Sequence, residues 1–179
     1  MNQYIAVVVG SLRKDSLNLK LAKAFVKLMP DYELKFIKID DLPLYNQDDD
    51  KDPASSVKRL KTEIENAKGV LFFTPEYNRS IPGVLKNALD HGSRPYGQNS
   101  WAKKPAGVIG VSVGAAGTSM AQQHLRNILA YLDMPTLNQP EAFITFKDGL
   151  FEDNDIGPQS LKFLTNYADQ FVAWVKKHG

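Results

Sequence analysis

An apolar, largely β-branched run, Tyr4-Ile5-Ala6-Val7-Val8-Val9, passes directly into Gly10-Ser11-Leu12-Arg13-Lys14-Asp15-Ser16-Leu17-Asn18. After it, Leu21, Phe25 and Leu28 recur at helical spacing. A run with no polar alternation reads as a strand buried on both faces, and the spacing that follows reads as a helix. The stretch between them is therefore a strand-to-helix turn that opens an α/β unit. Such a turn aims backbone N–H groups and the positive end of the helix dipole at its neighbour. This one adds the side chains of Ser11, Ser16 and Asn18 and the guanidinium of Arg13, which together suit a phosphate. Taken singly, Ser16 reads as a helix N-cap and Arg13 as a solvated residue.

The same alternation continues along the chain. Glu33 to Ile39 alternates as a second strand near a sheet edge, followed by a surface loop carrying Asp48-Asp49-Asp50. That acidic run lacks the glycine and closing glutamate of a calcium loop. A helix is predicted over 53–68, with Pro53 in its first turn, then a fully apolar third strand, Gly69 to Thr74. The turn Pro75-Glu76-Tyr77-Asn78-Arg79-Ser80-Ile81-Pro82-Gly83 leads into a helix over 84–91. Residues 94–104 read as a loop anchored by Trp101. A fourth strand, 105–111, ends in Ser112-Val113-Gly114-Ala115-Ala116-Gly117 before a helix over 118–132. The fifth strand lies at Thr136–Asn138, at Phe143–Ile144, or at both with Pro140 between. An amphipathic helix beginning near Pro158 closes the chain.

This order predicts a doubly wound, three-layer α/β domain over residues 1–179, with a five-stranded parallel sheet of order 2-1-3-4-5. The turns after strands one, three and four then meet at the switch point, where one ligand can touch all three. The first offers a phosphate cradle. The second is stiffened by Pro75 and Pro82. In the third, Gly114 and Gly117 let backbone approach a flat group closely. Phosphate at one end and a flat hydrogen-bonding ring at the other describe a flavin mononucleotide.

Other classes lack their residues. There is no Walker P-loop, no dinucleotide fingerprint after the first strand, and no acidic cluster at the end of that strand. No Gly-x-Ser-x-Gly surrounds Ser112. His91, His124 and His178 are dispersed without metal spacing, and His91 and His124 read as helix-surface or interface residues. The chain has no cysteine, so disulfides and thiol chemistry are excluded. A net charge of +2 without basic clusters argues against nucleic acid as a partner. Lys103-Lys104 and Lys176-Lys177 read as solvated pairs. No apolar run approaches a membrane span, and Met1 to Tyr4 shows no signal-peptide pattern, so a cytoplasmic location is expected.

Gly10 to Asn18, together with the longer motif Pro75 to Asp90, resembles the NAD(P)H-dependent FMN reductases, and within them the bacterial quinone, chromate and azo-dye reductases. The resemblance runs over most of the chain and weakens after about Gly149. It implies a flavodoxin-like fold with bound FMN. It implies that Ser11, Arg13, Ser16, Leu17 and Asn18 hold the phosphate end. It further implies that Pro75, Glu76, Tyr77 and Asn78, with Ser112, Gly114 and Gly117, line the isoalloxazine. Homodimers or homotetramers with the site near a subunit interface are implied as well. The chain departs from close relatives after Gly117, where Thr118-Ser119-Met120 replaces a nearby basic residue.

The expected activity is hydride transfer from NADH or NADPH to FMN and electron transfer to a quinone or similar small acceptor, in ping-pong fashion. The chemistry then resides on the flavin, with no catalytic side chain and no metal. Arg79 is either solvated or a contact for the 2′-phosphate of NADPH. The competing readings are a flavodoxin-type electron carrier and a redox-sensing flavin protein. A sequence pI of about 8.7 counts against the carrier, whose kind docks through acidic surface.

Overall fold

In the computed structural model, which describes residues 4–179, five parallel strands form one sheet in the order β2-β1-β3-β4-β5. Met1 to Gln3, on which the reading of the N-terminus partly rests, lie outside the described residues. The strands are β1 Tyr4–Val9, β2 Glu33–Phe36, β3 Gly69–Phe73, β4 Ala106–Ser112 and β5 Ala142–Thr145. β1, β3 and β4 are buried almost throughout, as continuous apolar runs require when both faces are covered. β2 and β5 are the edges.

Side-chain alternation divides the core into two layers. Ala6, Val8, Val70, Phe72 and Val108 face one side and pack with α2 Ser55–Glu65, α3 Gly83–Ser93 and α4 Ser119–Tyr131. Ile5, Val7, Leu71, Phe73 and Ile109 face the other and pack with α1 Leu17–Phe25 and α5 Pro158–His178. Helices on both faces of a parallel sheet in this order give the flavodoxin-like, three-layer fold that the sequence predicts.

Several boundaries differ. β2 stops at Phe36, although Ile37 N–H still donates to Val7 O at 2.9 Å, because Ile37 and Ile39 turn inward to cover the layer under α2. Pro53 precedes α2 instead of entering it, and the acidic run winds into a short 3-10 turn, Gln47–Lys51. Both candidates for the fifth strand lie along β4: Ala142–Thr145 pairs fully, and Thr136 adds a single bridge to Ala106. A small hairpin, β6 Phe151–Glu152 and β7 Asp155–Ile156, was not expected and packs against α1. Trp101 anchors its loop as expected, fully buried with Nε1–H donating to Leu89 O at 3.0 Å.

Two polar residues are corrected. His91 is buried, with Nε2 2.8 Å from Pro43 O, because the loop after β2 folds over α3. Lys104 is not simply solvated: Nζ donates to Glu65 O and Ala67 O and satisfies carbonyls left open at the end of α2.

Candidate functional site

Turn one begins where β1 ends. Gly10 N–H donates to Phe73 O at 2.8 Å, and a Cβ at Gly10 would come within 3.2 Å of Leu85 and 3.4 Å of Pro75. The missing side chain lets turn one pass against turn two. Ser16 caps α1, its Oγ accepting from Leu19 N–H at 3.1 Å. The N–H groups of Leu17 and Asn18 then have no acceptor within the helix and face the end of the sheet with the positive dipole. Ser11 Oγ accepts a long bond, 3.4 Å, from Arg13 N–H, and the Arg13 side chain is exposed.

Asn18 has a second duty. It is buried, its Oδ1 accepts from Val111 N–H at 3.0 Å, and its Nδ2 donates to Val111 O at 2.9 Å. The side chain thus pins the start of α1 to the end of β4. One amide hydrogen remains for a ligand.

Turn two is a rigid projection. Tyr77 N–H donates to Ser80 O and Ser80 N–H to Tyr77 O, each at 3.0 Å, around Asn78 and Arg79 at φ 52 and 62. That is a type I′ turn, comfortable for asparagine and strained by about 1 kcal/mol for arginine. Ser80 Oγ and His124 Nδ1 share a hydrogen bond of 2.7 Å, which leans the projection on α4. Glu76 Oε2 accepts from Met120 N–H and Ala121 N–H, both at 3.0 Å. Its carboxylate caps α4, so its backbone and Oε1 are what it offers a ligand.

Turn three is held by Ser112 Oγ donating to Gly114 O at 3.1 Å. At Gly114 an added Cβ would meet nothing closer than Ser112 Oγ at 3.9 Å, so the backbone there is open. Gly117 has a packing duty as well. Its φ is +54, and a Cβ would lie 2.7 Å from the Phe143 carbonyl carbon. The missing side chain there admits β5. Gly110 was missed: a Cβ would overlap Thr74 O and Thr118 Oγ1. A glycine inside an apolar strand was the available signal.

The three turns lie together at the C-terminal end of the sheet because β1, β3 and β4 are adjacent and parallel. Each is tied to an element that carries a neighbouring turn: turn one to the end of β3 through Gly10 and Phe73 and to β4 through Asn18 and Val111, and turn two to the start of α4 through Glu76. Each also exposes a large apolar side chain, Leu12 at 61%, Tyr77 at 47% and Val113 at 78%. The result is an open ledge with anion-binding N–H groups at one end and apolar, backbone-rich surface at the other. A concavity of about 530 Å³ flanks it between Ser11, Leu12, Arg13 and the end of β2. A separate cavity of about 320 Å³, bounded by Tyr45, His91 and the Asp50–Arg94 ion pair, lies behind α3 and away from the turns. Among the described residues no group of three His, Asp or Glu is arranged for a metal ion.

Residues 4–148 match the family model described as NADPH-dependent FMN reductase. The chain is 49% identical over 175 residues to a 2-hydroxy-1,4-benzoquinone reductase of a Burkholderia species, covering 96% of each chain. It is 49% identical to a quinone reductase of Pseudomonas putida, covering 96% of this chain and 94% of that one. The solved structure of FerB, a flavoenzyme NAD(P)H:(acceptor) oxidoreductase from Paracoccus denitrificans, superposes with a TM-score of 0.95 at 47% identity over 99% of both chains. A ledge built for a phosphate and a flat ring, on this sheet, agrees with these matches, and the chain belongs to the NADPH-dependent FMN reductase family.

Proposed function

We propose that the chain, as one domain over residues 1–179, is an FMN-dependent NAD(P)H oxidoreductase that reduces quinones. The observation that carries this reading is the ledge itself: three turns tied to the strands and helix beside them, with unaccepted helix N–H groups at one end and open backbone at the other. The relatives named as quinone reductases support the choice of acceptor. Bound FMN supplies two-electron exchange between a nicotinamide and a quinone.

The protein's own residues bind and orient. Ser11, Arg13, Ser16 and the N–H groups of Leu17 and Asn18 hold the phosphate. Pro75, Glu76, Tyr77 and Asn78, through a backbone fixed by the Tyr77–Ser80 turn, and Ser112, Gly114 and Gly117 position the ring. No side chain is required to move a proton, and the open ledge lets nicotinamide and quinone occupy one face in turn. Initial rates with NADPH and a benzoquinone should therefore give parallel double-reciprocal lines. Intersecting lines contradict the shared face, and no quinone-dependent oxidation of either nicotinamide contradicts the function.

We place the protein in the cytoplasm as a homodimer or homotetramer. Leu44, Tyr96 and Tyr131, each more than four-fifths exposed, supply apolar surface for such an association. Among the described residues no helix is long and apolar enough to cross a membrane. Light scattering of the purified protein reads the assembly directly.

A further inference from the structure

A groove of about 460 Å³ runs from turn one down the outer side of α1. Lys14, Lys20, Lys23 and Lys27 line it, and Ser16 belongs to both the groove and the candidate phosphate cradle. Lys27 is paired with Asp155 of the β6–β7 hairpin. Among the described residues Lys14, Lys20 and Lys23 have no acidic partner within 4.0 Å, and Asp15 is the single unpaired carboxylate on the wall. The groove therefore carries excess positive charge.

The position of that charge is informative. α1 has no acidic residue in its first turn, and Lys14 and Lys20 flank its positive end. Cations there oppose the helix dipole, which favours anions at that end. FMN phosphate at Ser16 answers part of this charge. It leaves Lys20 and Lys23, one and two turns further on, without a counterion. Lys20 Nζ sits 4.8 Å from the Phe151 ring centroid, beside the groove that its side chain lines. Leu17 and Leu19 provide apolar wall beside it. Since α1 rises about 1.5 Å per residue, Lys23 is roughly 10 Å from Ser16. That separation is shorter than an extended dinucleotide.

We propose that this groove is a second phosphate subsite, which holds the 2′-phosphorylated adenylate half of NADPH and sets a preference for NADPH over NADH. The proposal rests on the NAD(P)H reading above. It displaces Arg79, whose exposed side chain on the type I′ turn was the other candidate for the 2′-phosphate.

The test uses FMN-loaded protein and 2′,5′-ADP, with 5′-AMP as the comparison, followed by titration calorimetry. Wild type should bind 2′,5′-ADP more tightly than 5′-AMP. Lys20→Gln/Lys23→Gln should weaken 2′,5′-ADP by on the order of tenfold, the loss expected for two partly exposed charged contacts. The same variant should raise KM for NADPH by a similar factor while kcat, KM for NADH and FMN content stay unchanged. Arg79→Ala should alter none of these. Binding of 2′,5′-ADP that is indifferent to the lysine pair overturns the subsite. So does an equal rise in KM for both nicotinamides, or a loss carried by Arg79→Ala alone. A wild-type protein that oxidised no NADPH would defeat the underlying reading, while the calorimetric arm would still decide the groove.

Discussion

Asn18 presents both ends of its amide to the backbone of Val111, inside the protein, where neither Val111 group has water to replace it. Asn18→Ala leaves a buried donor and a buried acceptor unpaired and should cost about 2–4 kcal/mol in urea unfolding. An equal stability for the variant would mean that the joint between turn one and β4 is redundant. Glu76 belongs to the same class of residue. Glu76→Ala removes the acceptor for two N–H groups at the start of α4 and should cost about 1–2 kcal/mol. It should also weaken FMN binding, because turn two loses its tie to the start of α4. Glu76→Gln keeps a carbonyl oxygen for the cap and should recover most of both. If stability fell in Glu76→Ala while FMN affinity did not, the cap would be structural only. The motif containing Glu76 was legible in the sequence as a rigid turn at the site. Its partner was not, since Met120 lies 44 residues away and nothing local marks it.

At the level of elements, the legible parts were those whose burial leaves a strong pattern. β1, β3 and β4 are covered on both faces and are continuous apolar runs, so their number and central position follow from sequence. β5 is a half-exposed edge, and Ala142–Thr145 has too few residues to show its alternation. The β6–β7 hairpin has strands of two residues and leaves no periodic signal. Gly117 also approaches β5, a packing role the sequence did not show. Gly117→Ala should therefore destabilise the protein by more than about 1 kcal/mol, from φ strain plus overlap with Phe143, as read by the thermal midpoint. A midpoint within one degree of wild type would contradict that placement. α5 carries a pH-dependent element. Tyr167 is fully buried, with its hydroxyl donating to Val108 O at 2.9 Å, and burial pushes its pKa well up. A phenol whose folded pKa exceeds its unfolded value stabilises the fold below the unfolded pKa and loses that contribution as pH rises past it. Stability should therefore fall above about pH 10, and more steeply than in Tyr167→Phe. Parallel alkaline profiles for the two proteins would remove Tyr167 as a cause.

Across the whole molecule, the sheet order brings together turns that are far apart in sequence, and three sets of bonds then fix them before any ligand arrives. The outline of the site was legible because each turn follows a strongly patterned strand. The cap at Ser16 was legible too, and what escaped the sequence was the long-range partners of the other residues. Asn18 and Glu76 carry intramolecular bonds in addition to their proposed place at the ligand, and Gly117 packs on an edge strand. A preformed ledge should hold FMN without large rearrangement and leave one face of the ring accessible. The most direct measurement is the visible spectrum of the purified, FMN-loaded protein under anaerobic conditions, first with NADPH and then with a benzoquinone. The account predicts two flavin absorption bands, bleached by NADPH and restored by the quinone. A protein that takes up no FMN would contradict the reading of the three turns, and bands that neither NADPH nor NADH bleaches would contradict the proposed activity.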